Sequence, residues 1–259
     1  MPDERDAFLT SPEWSEIVKR IRARTPARLL TGRAGAAYRT DTQLELRGAH
    51  AAARDAVRAE LDLEFIFGHD FVKRWGLFET CTQAALKDVF LLQPELGRRF
   101  NDVSREELRT RCSPGNDLQI AIGDGLSVPA VAAQVPSLLP LLSAGAQARG
   151  WTVGQTFVIR HCRVGILNEI GELLSPKAAV LLIGERPGLA TAESLSAYMA
   201  YRPRQTHSDA DRNLISNIHA RGATPENAAV RILNLAARMM DVGASGYSLR
   251  EGPATLIGE

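Results

Sequence analysis

Neither sign of charge prevails in this sequence: 31 Lys and Arg stand against 30 Asp and Glu, a formal net charge of +1. With no global field to draw in a polyanion, nucleic acid and an acidic membrane surface are not expected as partners, although a small local anion site is compatible with this balance. Cysteine is scarce as well. Cys81, Cys112 and Cys162 are too scattered for a CxxC metal site, and their odd number argues against a disulfide framework, which fits a reducing cytoplasm. Long apolar runs are also missing. The longest strongly apolar stretch, Ala178 to Gly184, falls far short of the roughly 20 residues a membrane span needs. The charged start MPDERDAF lacks a signal-peptide apolar region. A soluble cytoplasmic protein is the expectation. At 259 residues, 45% of them hydrophobic, the chain has enough apolar material for a real core, in one large domain or one with a smaller appendage.

The apolar pattern changes along the chain. In SPEWSEIVKRIRART, Trp14, Ile17, Val18 and Ile21 fall at helical spacing behind Ser11 and Pro12, which suit the cap and first-turn positions of a short amphipathic helix. From Asp41 to Leu61, Leu44, Gly48, Ala51, Ala52, Ala56 and Val57 recur with a helical period opposite Arg47, Arg54, Asp55 and Arg58, predicting a long helix. The stretch LEFIFGHDFVKRWGLFE, aromatic and broken by glycines, reads as irregular structure or a short strand. After Asp117, the short apolar segments LQIAIGDG, QTFVIRHCRV and AAVLLIGERP read as strands buried on both faces of a parallel sheet. Between them lie helix candidates, Pro129 to Ala148 and Gly165 to Leu174. This βαβαβ order implies an α/β fold with a Rossmann-like, doubly wound, mostly parallel sheet. A further helix is expected after Thr191, and a last one from Pro225 to Met240 with Thr224 as its cap and Met239 and Met240 filling core. The division is then a helical arm and helix-rich region over 1–116, a Rossmann-like region over 117–248 and a tail over 249–259.

In such sheets ligands sit beyond the carboxyl ends of the strands. Three loops qualify: Asp124, Gly125, Leu126 and Ser127; then Arg163 and Val164; then Gly184, Glu185, Arg186, Pro187 and Gly188. Glycine admits close backbone approach, and Asp, Glu and Arg offer hydrogen bonds to amides, hydroxyls or a phosphate. Turns need Gly and Asp for their own sake, so no one loop is decisive, and the three together still name no ligand. TGRAG, Thr31 to Gly35, lacks the G-x-G-x-x-G spacing and reads as a turn, so a dinucleotide site is poorly supported. Ser127 stands in GDGLS and not in a G-x-S-x-G elbow, which disfavours a hydrolase triad. His50, His69, His161, His207 and His219 contain no i,i+4 pair, which disfavours a metal cluster. DADRNLISNIH reads as a loop with a partly buried hydrogen-bond network. The residues alone describe an α/β binding domain for a polar ligand, nucleotide-bearing ligands among the candidates.

Taken in order, TGRAGAAYRT, AAARDAV, QPELGRRF, DGLS, RVGILNEIGELL, LLIGERPGL, SLSAY, YRPR, DADRNLISNI and ASG resemble the small subunit of ethanolamine ammonia-lyase, from about Val18 to Gly246. The resemblance implies one part of an ammonia-lyase, a carbon–nitrogen lyase that converts ethanolamine to acetaldehyde and ammonia by radical chemistry begun on adenosylcobalamin. It further implies a large-subunit partner with a TIM barrel that holds the substrate and the adenosyl side, this chain covering the other side of the cobalamin within a higher hetero-oligomer. No catalytic residue is then expected here, and the chain alone should be inactive. Family cobalamin contacts match Val164, Glu185 and Leu214, the last replacing a usual Cys; Arg186, Asp124 and Ser127, on the sheet-edge loops, are expected as further cofactor contacts. No Asp-x-His-x-x-Gly loop is present, so the cofactor is expected base-on, with its own benzimidazole on cobalt. A bacterial microcompartment is a conceivable setting. The rival reading is a non-enzymic cobalamin or nucleotide carrier, or an assembly protein.

Overall fold

A computed structural model describes residues 12–25, 27–249 and 251; the expected cap at Ser11 and most of the tail lie outside them. Helix α1 spans Pro12–Ala23. TGRAG, read as a turn, instead supplies strand β1 (Arg33–Ala34), and Gly35 and Ala36 turn into the antiparallel β2 (Ala37–Tyr38), ahead of the long helix α2, Thr40–Arg58.

The aromatic stretch expected to be irregular or a strand is helical. It forms α3 (Leu63–Phe67) and α4 (His69–Trp75), parted by Gly68 at φ 75°. Asp62 caps α3 by accepting the Phe65 amide at 2.9 Å. On α4, Phe71 and Trp75 are four residues apart, so their rings meet at 6.0 Å between centroids, and Phe67 at the end of α3 stacks on Phe71 at 5.5 Å; all three pack on the core. Strand β3 (Glu79–Cys81), α5 (Lys87–Leu92) and α6 (Asp102–Arg111) follow.

Then come β4 (Leu118–Gly123), α7 (Val128–Gln147), β5 (Phe157–Arg160), α8 (Ile166–Leu174) and β6 (Ala178–Gly184), close to the expected positions. All of β4 and β6 is buried, as strands covered on both faces must be. The helix expected after Thr191 is instead strand β7 (Leu195–Tyr201), and DADRNLISNIH supplies β8 (Asn213–Ile218), before the last helix α9 (Pro225–Val242). LSAYMAY is rich in helix-forming Ala and Met, but its seven residues each pair with β6, from Gly184↔Leu195 to Ala178↔Tyr201, and that tertiary pairing overrides local preference.

The six strands run in the order β3-β5-β4-β6-β7-β8. The first four are parallel, while β7 and β8 are antiparallel, so the sheet is mixed where a mostly parallel, doubly wound one was expected. One core, including Val131, Val135, Leu138 and Ile232, packs α7 and α9 on the sheet. A second, with Phe100, Leu108, Ile166 and Ile170, packs α6 and α8 against it. By length and composition α7, of 20 residues, could cross a membrane. Polar and small residues divide it in the sequence, so it holds no long continuous apolar run. In the fold its Val131, Val135, Leu138 and Leu142 are fully buried in the core it shares with α9.

Candidate functional site

The chain leaves β4 for α7, which belongs to one core, and β5 for α8, which belongs to the other. The ends of these neighbours therefore part, and a crevice at such a point is where ligands bind in α/β sheets. A cavity of about 410 Å³ lies there, bounded by the loops after β4, β5 and β6 and by β7 and β8. It brings together Val164, Glu185, Arg186 and Leu214, four of the six residues expected as contacts.

The loops are fastened at the backbone. The Leu126 amide donates to Gly184 O at 3.1 Å. A Cβ on Gly125, at φ 57°, would stand 2.3 Å from Gly184 O, and one on Gly184 would stand 2.1 Å from Ser127 O. Only glycine at both positions permits this approach.

The Glu185 carboxylate is oriented by β7 and β8. Ser196 Oγ donates to Oε1 at 2.5 Å, Ser194 Oγ to Oε2 at 2.8 Å, and the Asn217 amide to Oε1 at 3.0 Å. A carboxylate has about four acceptor positions, so one is left over.

Asp124 and Ser127 stand behind the wall, and neither lines the cavity. Asp124 is fully buried; its Oδ1 accepts the Cys162 amide at 2.8 Å, and its Oδ2 accepts the His161 amide at 2.9 Å and Lys87 Nζ at 3.3 Å. Ser127 caps α7 by accepting the Ala130 amide at 3.2 Å and donates to Ala192 O at 2.5 Å. Both residues hold loops in place.

Several lining residues carried no signal in the sequence: Ser196 and Tyr198 on β7, and Ser216 on β8. Reading LSAY and NLIS as strands would have found them, since residues two apart share a face. Tyr198 pairs with Leu214 across the two strands. Burial, followed by the nearby Glu185 charge, raises the Tyr198 hydroxyl above the usual phenol range. Cys162 also lines the cavity, with its thiol pushed up by full burial. No histidine is among the lining residues.

Arg163 lines the cavity with its guanidinium 4.3 Å from the Phe90 ring centroid. Burial and then the charge of Arg186 lower its pKa from the usual arginine range, Arg98 adding to this, while it remains a cation.

Fold and cavity thus define an α/β protein with a ligand-sized cleft at the carboxyl edge of its sheet. Residues 15–250 match the family described as ethanolamine ammonia-lyase light chain (EutC). The chain is 39% identical over 247 residues to the ethanolamine ammonia-lyase small subunit of Clostridium perfringens, covering 95% of this chain and 82% of that one. It is 38% identical over 246 residues to the small subunit of Clostridioides difficile, with the same shares covered. The chain belongs to the ethanolamine ammonia-lyase small-subunit family.

Proposed function

We propose that this chain covers one side of adenosylcobalamin in a two-subunit ethanolamine ammonia-lyase, while a TIM-barrel large subunit carries the substrate. The observation that supports it is the Glu185 carboxylate, fixed by three donors with an acceptor position to spare, beside apolar Val164 and Leu214. These residues suit a corrin edge. Val164, Leu126 and Leu214 offer apolar surface, and Glu185 would accept from a side-chain amide. Arg163 Nε is a buried donor without a hydrogen-bond partner within the chain.

When bound, the cofactor supplies the radical by breaking its cobalt–carbon bond; the protein's contribution is position and electrostatics. The work of this chain is to bind, orient and exclude water. We read the cofactor as base-on, and this chain's cavity lining would hold it without offering an imidazole of its own. The proposed setting is the cytoplasm, in a higher hetero-oligomer.

Co-expression with a candidate large subunit, followed by an ethanolamine assay with and without adenosylcobalamin, tests the reading. Acetaldehyde should form only with both subunits and the cofactor. Turnover by this chain alone, or by the large subunit alone at an equal rate, would overturn it.

A further inference from the structure

We infer that Arg163 and Arg186, with Arg98 beside them, form an anion seat on the rim of the cavity that takes the phosphodiester of the ligand's nucleotide tail. This rests on the cobalamin reading above and adds the group recognised and the residues that hold it.

The residues lining the cavity include two arginines, Arg163 and Arg186, against one acidic residue, Glu185. The Arg98 stem lies against Gly165, whose Cβ would stand 2.9 Å from Arg98 Cδ, so a third cation flanks Val164. Elsewhere in the chain several arginines pair with carboxylates, Arg105 with Glu169, Arg160 with Glu60 and Glu79, and Arg231 with Glu251, while others such as Arg149 and Arg221 donate to neutral amide or carbonyl oxygens. Among the described residues, Arg98, Arg163 and Arg186 form no such pair.

The neighbouring carboxylates are occupied. Glu185 takes three donors, Asp124 takes three, and Asp209 pairs with Arg212. Nor is Arg163 satisfied by its surroundings: Nη2 reaches Phe90 O at only 3.4 Å, and Nε is buried without a partner. Like charges held together on a partly buried rim repel, and the natural counterpart is an anion of the ligand. The start of α8, just after Gly165, adds its positive end on the same side.

Among anions, a phosphodiester suits paired guanidinium forks, whose planar donors match phosphate oxygens bidentately. The amides on a corrin edge are neutral and would leave both cations uncompensated. The phosphodiester lies in the tail that carries the benzimidazole, on the side of the ring away from the adenosyl group. That is the side assigned to this chain. Free phosphate has the same chemistry, and the experiment separates the two.

Equilibrium dialysis of the two-subunit complex with adenosylcobalamin and with adenosylcobinamide, which lacks the nucleotide tail, reads the contact without using activity. Arg186→Gln, and Arg163→Gln combined with Arg186→Gln, should weaken cobalamin binding by about ten- to a hundredfold, the effect of losing charged hydrogen bonds. Cobinamide binding should be no weaker in the variants than in the wild type. Arg163→Lys, which keeps the charge and much of the packing, should retain more cobalamin affinity than Arg163→Gln. Unchanged cobalamin affinity in the folded double variant would overturn the inference alone, as would equal losses for both ligands. Saturable binding of inorganic phosphate to the cobalamin-loaded complex, abolished by Arg186→Gln, would reassign the seat to a free anion. A wild-type complex that takes up neither ligand would bring down the cobalamin reading and this inference with it.

Discussion

One carboxylate oxygen of Asp124 accepts the amide of Cys162 at 2.8 Å, binding the end of β4 to the end of β5 from a fully buried position. The other accepts the His161 amide and Lys87 Nζ, and Lys87 is itself only 8% exposed. Asp124→Ala would strand a buried ammonium and two amides, so a loss of about 3–5 kcal/mol of stability is expected. Urea unfolding of the purified chain measures it. A variant as stable as the wild type that had lost only cofactor affinity would show that Asp124 acts on the ligand and not on the loops.

Glu185→Ala should have two effects. Ser194, Ser196 and the Asn217 amide lose a common acceptor, which costs about 1–3 kcal/mol where the group left behind is buried. Cobalamin affinity of the complex should fall about ten- to a hundredfold through the lost charged hydrogen bond. Thermal unfolding and titration report the two separately. Intact affinity in a folded variant would remove Glu185 from the contacts.

Leu214→Cys should be well tolerated. The side chain is 44% exposed on β8, so little packing is lost and the destabilisation should stay below about 1 kcal/mol. Cysteine behaves as a small hydrophobe, and an apolar contact would survive. Cobalamin titration of the variant complex is the check, and abolished or greatly strengthened binding would contradict an apolar role at this position.

Asp117 contributes stability that depends on pH. Its carboxylate meets Lys177 Nζ at 2.7 Å and accepts from the Thr152 amide at 2.8 Å, and these contacts hold its pKa at about 2 against the ordinary 3.8. A depressed folded-state pKa means that the contribution is complete above about pH 4 and is lost as pH falls towards 2. Asp117→Asn should therefore lower Tm at pH 7 by a few degrees, about 2–4 °C per kcal/mol lost. The gap between variant and wild type should close near pH 2; a gap independent of pH would assign the effect to shape and not to charge.

The three thiols should resist alkylation at pH 7.5. Burial raises the pKa of each, Cys112 to about 11 and Cys162 well above the usual thiol range, and the thiolate is the reactive form. Iodoacetamide labelling followed by mass spectrometry should find slow modification of native protein, with all three sites reacting after denaturation. Rapid labelling of Cys162 in the folded chain would mean that the cavity wall opens.

By itself the sequence determined three parallel strands, β4, β5 and β6, and the helices α1, α2, α7, α8 and α9. LQIAIG, FVIR and AAVLLIG are apolar on both faces, and only strands covered on both sides need that pattern. Thr224 and Pro225 likewise marked the start of α9, since cap chemistry is local. Glu185, Arg186 and Val164 were legible because they stand just beyond the carboxyl ends of apolar strands, on one sheet edge, and the ordered motifs carried the family. Only the tertiary structure decided that LSAYMAY and NLISNI are strands: their hydrogen bonds go to residues distant in sequence, and Ala, Met and the polar groups of β8 gave no period-two signal strong enough to announce them. With those strands came Ser196, Tyr198 and Ser216. Tertiary structure also separated Glu185, which faces the cavity, from Asp124, which lies behind it. Both acids follow an apolar strand in the sequence, and only the burial of the surrounding chain determines whether a carboxylate meets backbone amides or a ligand.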